Sequence, residues 1–273
     1  MRKLWVVTAA VTLLGALAAI AYAQQPERTN SYTVNGSTSP SKAGSARKPV
    51  PIGINFSYTV AEQSGLRPSP VQKYTIRFKG VRQNSNLFPG CDYTTINNNQ
   101  GTSRCPSGGL LGRGTIVAKA GGESDRSQQT INCPLNLEVW NAAKNNKASI
   151  YVVGGPDAPA GKKTDCPTTT NAALDANFKR VGNETQLEFN VPLVPFRQQL
   201  GSGTNKDDPN AIEVAVTSVS SRIPRKTRRV RGKVRGFFEA VGGCTGGSRI
   251  IAVTFLNEDG KTASSEDKAT CRR

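Results

Sequence analysis

Ile52-Gly53-Ile54-Asn55-Phe56-Ser57-Tyr58-Thr59-Val60 puts an apolar side chain at every second position and a small or polar one between them. Successive side chains of a strand point to opposite faces, so this stretch has one oily face and one wet one. The same period returns along the chain. Tyr74, Ile76 and Phe78 alternate with Thr75 and Arg77; Ile131, Cys133, Leu135, Leu137 and Val139 repeat it. Leu187, Phe189, Val191 and Leu193 follow, then Ile212, Val214 and Val216. Ile251, Val253 and Phe255 lead into Asn257-Glu258-Asp259-Gly260, whose Asp-Gly is a hairpin-turn signal. No amphipathic run of period 3.6 competes with these. About ten strands with one wet face, separated by Gly, Pro and Asn turns, predict an all-β fold. An antiparallel β-sandwich, immunoglobulin-like or jelly-roll-like and stapled by disulfides, is the expected architecture. Pro192 belongs at an edge or strand end, because it cannot donate to a ladder.

The rest of the chain is organised around that core. Arg2 and Lys3 precede an uncharged, mainly apolar run from Leu4 to Ile20, and Ala21-Tyr22-Ala23 supplies a small-x-small cleavage pattern. Residues 1–23 therefore read as a signal peptide and the protein as secreted or held in the cell envelope. No later segment is long and apolar enough to span a bilayer as a helix. Residues 24–49 are polar and read as a flexible leader, and 50–273 as the sandwich. The Gly-, Ser- and Asp-rich stretch from Leu200 to Pro209 is a candidate subdivision near 200–210.

Cysteine and histidine usage narrows the chemistry. The six cysteines are Cys91, Cys105, Cys133, Cys166, Cys244 and Cys271. An even count in an exported chain predicts disulfides. Neighbour pairing is expected, because each successive pair brackets a turn-rich segment. There is no His and no Cys-x-x-Cys, so neither a metal site nor a cofactor is expected. The absence of His also excludes Ser-His-Asp and Cys-His catalysis. Ser39 to Lys42 and Ser45 to Lys48 match Ser-x-x-Lys, but they lie in the polar leader and no Lys-Thr-Gly accompanies them. Gly155 to Thr164 resembles a phosphate-binding loop that is one residue too long, with Lys163 at the hydroxyl position, and reads as a loop between strands. The 19 acids are dispersed and nominate no glycosidase pair.

Charge is the most unusual property. The chain carries 36 basic against 19 acidic residues. Strong positive charge speaks to partners and solubility, not to fold. Eight basic residues fall between Arg222 and Arg235. If residues 228–238 form one strand, Arg229, Arg231, Lys233 and Arg235 line its wet face and Val230, Val234 and Phe238 its inner face. Arg228, Arg229, Arg231, Lys233 and Arg235 are therefore the candidate anion-binding residues, matched to phosphate or carboxylate by their forks. The alternative is a charged edge strand protected against aggregation. Few aromatics interleave with these cations, so no specific nucleic-acid partner is expected.

Phe88-Pro89-Gly90-Cys91, Cys105-Pro106-Ser107 and Gly109 to Ala118 together resemble a group of exported actinobacterial proteins with a Cys…Cys-Pro-x-Ser-x-x-Gly-x-Gly pattern. The Gly154-Gly155 strand end, the Leu187 to Pro192 strand and Cys244…Cys271 around Asp259-Gly260 fit the same pattern. The resemblance implies a secreted, disulfide-bonded β-sandwich and transfers no catalytic residues. The expected function is a non-enzymatic binding or structural module for an anionic wall polymer or lipid head group. A polysaccharide hydrolase or lyase, and an extracytoplasmic accessory or sensor subunit, are the alternatives.

Overall fold

The computed structural model describes residues 28–122, 125–143, 146–193 and 212–272. Its strands begin with β1 (Asn30–Ser39), β2 (Val50–Glu62), β3 (Val71–Lys79) and the short β4 (Val81–Gln83). A 3-10 turn at Ser85–Leu87 and helix α1 (Tyr93–Asn98) lead to β5 (Leu110–Gly122), β6 (Ile131–Asn141), β7 (Lys147–Gly154), β8 (Thr170–Val181) and β9 (Glu184–Asn190). The C-terminal part adds β10 (Ile212–Ile223), β11 (Thr227–Val230), β12 (Lys233–Gly236), β13 (Phe238–Ala240), β14 (Ser248–Asn257) and β15 (Thr262–Thr270).

The all-β, antiparallel expectation holds. The architecture differs from a two-sheet sandwich: one 13-stranded sheet runs β15-β14-β3-β9-β8-β7-β6-β5-β10-β2-β13-β4, with β1 also on β2, and β11 and β12 form a separate ribbon. This sheet rolls up until its ends meet. The Gly36 N–H of β1 donates to the Asp267 carboxylate of β15 at 2.7 Å, and Tyr32 stacks on Phe255 at 4.0 Å. Beyond β1, the Ala43 N–H donates to the Arg272 carbonyl at 2.7 Å. Gly36 is required by this closure, because a Cβ there would lie 2.5 Å from Ile251 Cδ1. Period-2 alternation specifies an oily face; whether that face closes on a second sheet or on its own is not written in the alternation.

Two expected boundaries are corrected. Residues 30–39 of the supposed leader form β1, paired with β2 over its whole length. Its inward positions are Tyr32, Val34, Gly36 and Thr38, too small and too polar to announce a strand. The proposed subdivision near 200–210 also fails, since β10 enters the same sheet between β2 and β5. Residues 200–210, like residues 1–23 with their expected signal peptide, lie outside the described residues.

All three neighbour disulfides expected from the sequence are formed: Cys91–Cys105, Cys133–Cys166 and Cys244–Cys271. The first fastens a cover over the outside of β6 to β8. There α1 is capped by Asp92, which accepts from the Thr95 N–H at 2.7 Å. Asn141 Nδ2 donates to the carbonyls of Ser85, Phe88 and Pro89 at 2.9–3.0 Å. Beneath lie Ile96, Trp140, Tyr151 and Val153 as a second, smaller core. This explains why β7 is buried on both faces, apart from its first residue Lys147.

Candidate functional site

The inner wall of the roll encloses a cavity of about 160 Å³. It draws on eight strands of the roll: Ile54, Phe56 and Tyr58 from β2; Tyr74, Ile76 and Phe78 from β3; Ile116 and Ala118 from β5; Leu135, Leu137 and Val139 from β6. Ile150 and Val152 of β7, Leu174 of β8, Leu187 and Phe189 of β9, and Val214, Val216 and Val219 of β10 complete it. These are the inward positions of the strands, which is why the lining is almost entirely apolar. At one end the cavity reaches the strand termini at Pro70, Val191, Leu193 and Val214. At the other, a cluster of rings seals the roll: Phe237 meets Phe88, Phe178 and Phe238 with centroids 4.9–6.2 Å apart, and Phe78 meets Phe238 at 6.3 Å.

Val214, Val216, Val219 and Phe189 are only partly buried although they point inward, because they face the void. The polar side chains in the wall are few. Ser221 Oγ donates to the Phe56 carbonyl at 3.3 Å, and the hydroxyls of Tyr58 and Tyr74 are 2.9 Å apart. Burial raises both tyrosines well above the ordinary phenol value, and their mutual proximity adds to the rise at Tyr58. Both are neutral at any physiological pH. Among the described residues no carboxylate, lysine or arginine lines the cavity.

The buried charges lie outside the cavity and brace its ends. Glu213 is fully buried and accepts from Arg28 and from Arg67 Nε, the latter at 3.0 Å. Arg67, equally buried, also donates to the carbonyls of Gln128 and Gly122 at 2.5 and 2.7 Å. Arg28 reaches Glu258 and Asp259 of the β14–β15 turn at 2.9 Å. Burial opposes the charge on Arg28, but its bonds to Asp259 and Glu213 outweigh that and raise its pKa. Five segments are thereby tied around the cavity end. At the ring-sealed end Glu239 accepts from Arg82 at 2.6 Å and from Arg235 at 2.9 Å. Burial alone would raise Glu239; bonds from Arg235, Arg82 and the Gly236 N–H overcome it and bring the carboxyl down to about 2. On the outer wall Glu138 holds Lys162 and accepts from Trp140 Nε1 at 2.9 Å.

The expected anion-binding row is arranged differently from one strand over 228–238. β11 and β12 form a hairpin pairing Arg228 with Arg235, Arg229 with Val234 and Val230 with Lys233. Arg231 and Gly232, at φ of 48° and 78°, make its two-residue turn. Val234 is 52% exposed rather than buried, and Arg235 belongs to Glu239. Arg228 donates to the Leu87 carbonyl at 2.8 Å. Alternation predicts a face only while the strand continues, and the left-handed turn resets it. Arg228, Arg229, Arg231 and Lys233 remain exposed. The hairpin is joined by cations the sequence did not nominate: Arg113 of β5 stands opposite Arg222 of β10, and Lys226 is lowered by burial and then by the Arg113 charge. The two Ser-x-x-Lys matches lie at the end of β1 and in the following loop, and Gly155 to Thr164 is the β7–β8 loop.

Comparison with protein-family models, curated proteins and solved structures finds no match to this chain.

Proposed function

We propose that this protein is an exported, non-enzymatic binding module that holds a small apolar molecule inside its rolled sheet. The observation carrying this reading is the cavity of about 160 Å³ whose wall is apolar apart from Ser221 and the hydroxyls of Tyr58 and Tyr74. An engineered cavity of about 150 Å³ with such a lining stays dry and takes up benzene, so the space suits a single ring or a short branched chain. Close packing is the rule in protein interiors, and a void of this size leaves its lining without partner atoms on one side. A ligand restores those contacts. A hydrolase reading lacks support here: among the described residues no acid lines the cavity, and Glu138, Glu213 and Glu239 are each held by cations outside it. The test is to incubate purified protein with an extract of apolar small molecules and identify what is retained by mass spectrometry. Stoichiometric retention by the wild type and its loss in Ala118→Phe, which fills the void, is the expected outcome. Equal retention by both would overturn the reading.

Arg113 and Arg222 face each other across β5 and β10, beside Lys226 and the exposed hairpin cations, and the one carboxylate in reach of Arg113 among the described residues, Glu138 at 3.7 Å, is shared with Lys162. Like charges directly opposite in a sheet destabilise it, and an anionic partner relieves that repulsion. We infer on this ground that the ring-sealed end docks on an anionic wall polymer. Retention on immobilised polyphosphate should fall about tenfold in the double variant Arg225→Glu, Arg229→Glu. The control Lys163→Glu, Lys268→Glu, with the same change of charge elsewhere, should keep it. Equal loss in both pairs would mean that only net charge matters.

A further inference from the structure

Two facing hydroxyls inside an apolar wall leave one proton over. Tyr58 donates to Tyr74 at 2.9 Å. Each phenol carries one O–H, and one hydrogen bond consumes one of the two. Whichever tyrosine donates, the other's proton has no acceptor recorded among the described residues, and both side chains line the cavity. Tyr32, a third phenol whose charge influences both, accepts from Asn30 Nδ2 at 2.9 Å, and no hydrogen bond joins it to either tyrosine among the described residues. The rings are fixed: Tyr74 stacks on Phe189 at 4.8 Å, and both tyrosines meet Phe255 edge-on at 5.3 and 5.7 Å. Neither phenol ionises in the physiological range, since burial pushes both upward, so the pair always offers one donor and never a charge.

We infer that the tyrosine pair makes the cavity selective for apolar molecules bearing one hydrogen-bond acceptor oxygen, such as a ketone, ester or ether, over pure hydrocarbons of the same shape. This rests on the cavity binding an apolar ligand at all. A carboxylate or phosphate is excluded, because a charged group would enter this wall with one neutral donor and no counter-ion. A hydrocarbon fits the walls equally well but leaves the proton unpaired. One neutral hydrogen bond in such a site corresponds to roughly a three- to tenfold preference.

The experiment uses the full chain and two near-isosteric probes, acetophenone and α-methylstyrene, which differ in C=O against C=CH2. Their dissociation constants are measured by calorimetry for the wild type, for Tyr58→Phe and Tyr74→Phe singly, and for the double variant. The ratio of the two constants in the double variant is the reference, since it contains the difference in hydration and no tyrosine. Relative to that ratio, the wild type should favour acetophenone about three- to tenfold. Each single variant should keep most of that preference, because one phenol alone still has a proton to give. A merely structural pair would give the same ratio in all four proteins, and that result overturns the inference while leaving the cavity reading intact. Binding of neither probe by the wild type removes the cavity reading and this inference with it. As a readout that needs no variant, the carbonyl stretch of bound acetophenone should lie below its value in hydrocarbon solvent; an unshifted band also overturns the inference.

Discussion

The two ends of the rolled sheet are built from equally apolar side chains, yet one is filled and the other hollow. At the filled end Phe88, Phe178, Phe237 and Phe238 meet edge to face with Phe78 tilted against Phe238, and Phe237 and Phe238 arrive from the segment after the basic hairpin. At the hollow end the wall is mostly Val, Ile and Leu, and the rings it carries, Tyr58, Tyr74 and Phe189, pack on one another and on Phe255 without filling the cavity. An eight-stranded barrel is just wide enough for its own side chains to fill, and diameter grows with strand number. Eleven strands close the roll, from β15 round to β2 and β1, and eight of them, β2, β3 and β5 to β10, line the cavity. Branched side chains of ordinary length cannot meet across it, and only extra chain brought inside can. Hydrophobicity therefore does not separate a core from a binding site here; the supply of bulk relative to the circumference does.

The largest expected effect that would break this comparison is at the filled end. Phe237→Ala removes a ring touching three others and should cost about 3–5 kcal/mol in urea unfolding. A loss below about 1 kcal/mol would mean that end is not packed as described. Next comes acid. Glu239 is depressed to about 2 by its two arginines. A carboxyl lowered on folding contributes stability that is full above its unfolded value, near 4.3, and is lost as the pH falls toward about 2. The loss is at most about 3 kcal/mol, at about 1.4 kcal/mol per pH unit. In Glu239→Gln the stability measured between pH 5 and 2 should fall less steeply than in the wild type, and parallel curves would show that other groups dominate. Smaller still, Val216→Ala in the hollow half should cost under about 1 kcal/mol, because the deleted methyls already face a void. The smallest effect is the most diagnostic. Ala118→Leu should leave the melting temperature unchanged or raise it, whereas Ala240→Leu beside Phe238 should lower stability by about 1–3 kcal/mol through overpacking. Equal penalties at both sites would abolish the distinction between the two ends.

Much of the fold was legible in the residues, for a definite reason. Alternation in Val50–Glu62, Ile131–Asn141 and Ser248–Asn257 carries strand identity and inward face in adjacent positions, so no long-range information is needed. Neighbour disulfides were legible because each closes a short loop. β1 was not, since its inward positions include Gly36 and Thr38, chosen for close approach to β14 rather than for oiliness. The candidate site was half legible. Every cavity residue named from β2, β3, β6 and β9, with Val214 and Val216 of β10, sits on an alternating run already visible in the sequence; Val219 turns inward only past the register shift between Val216 and Ser218, and nothing in those runs distinguishes a lining from a packed interior. For the basic hairpin, Arg231-Gly232 was the missed signal: a residue pair suited to a two-residue turn interrupts the parity on which the row depended.

By itself the sequence determined an antiparallel all-β chain with three neighbour disulfides and a concentrated basic segment, because each is a local property: a period of two, short loop closures, a cluster of charges. Only the tertiary structure decided that the oily faces close on one sheet rather than two, that the wall is wider than its side chains can span, and that Tyr58 and Tyr74 meet inside it. Strand number, register and curvature are set by pairings between residues far apart in the chain. The volume left inside a roll depends on all of them together.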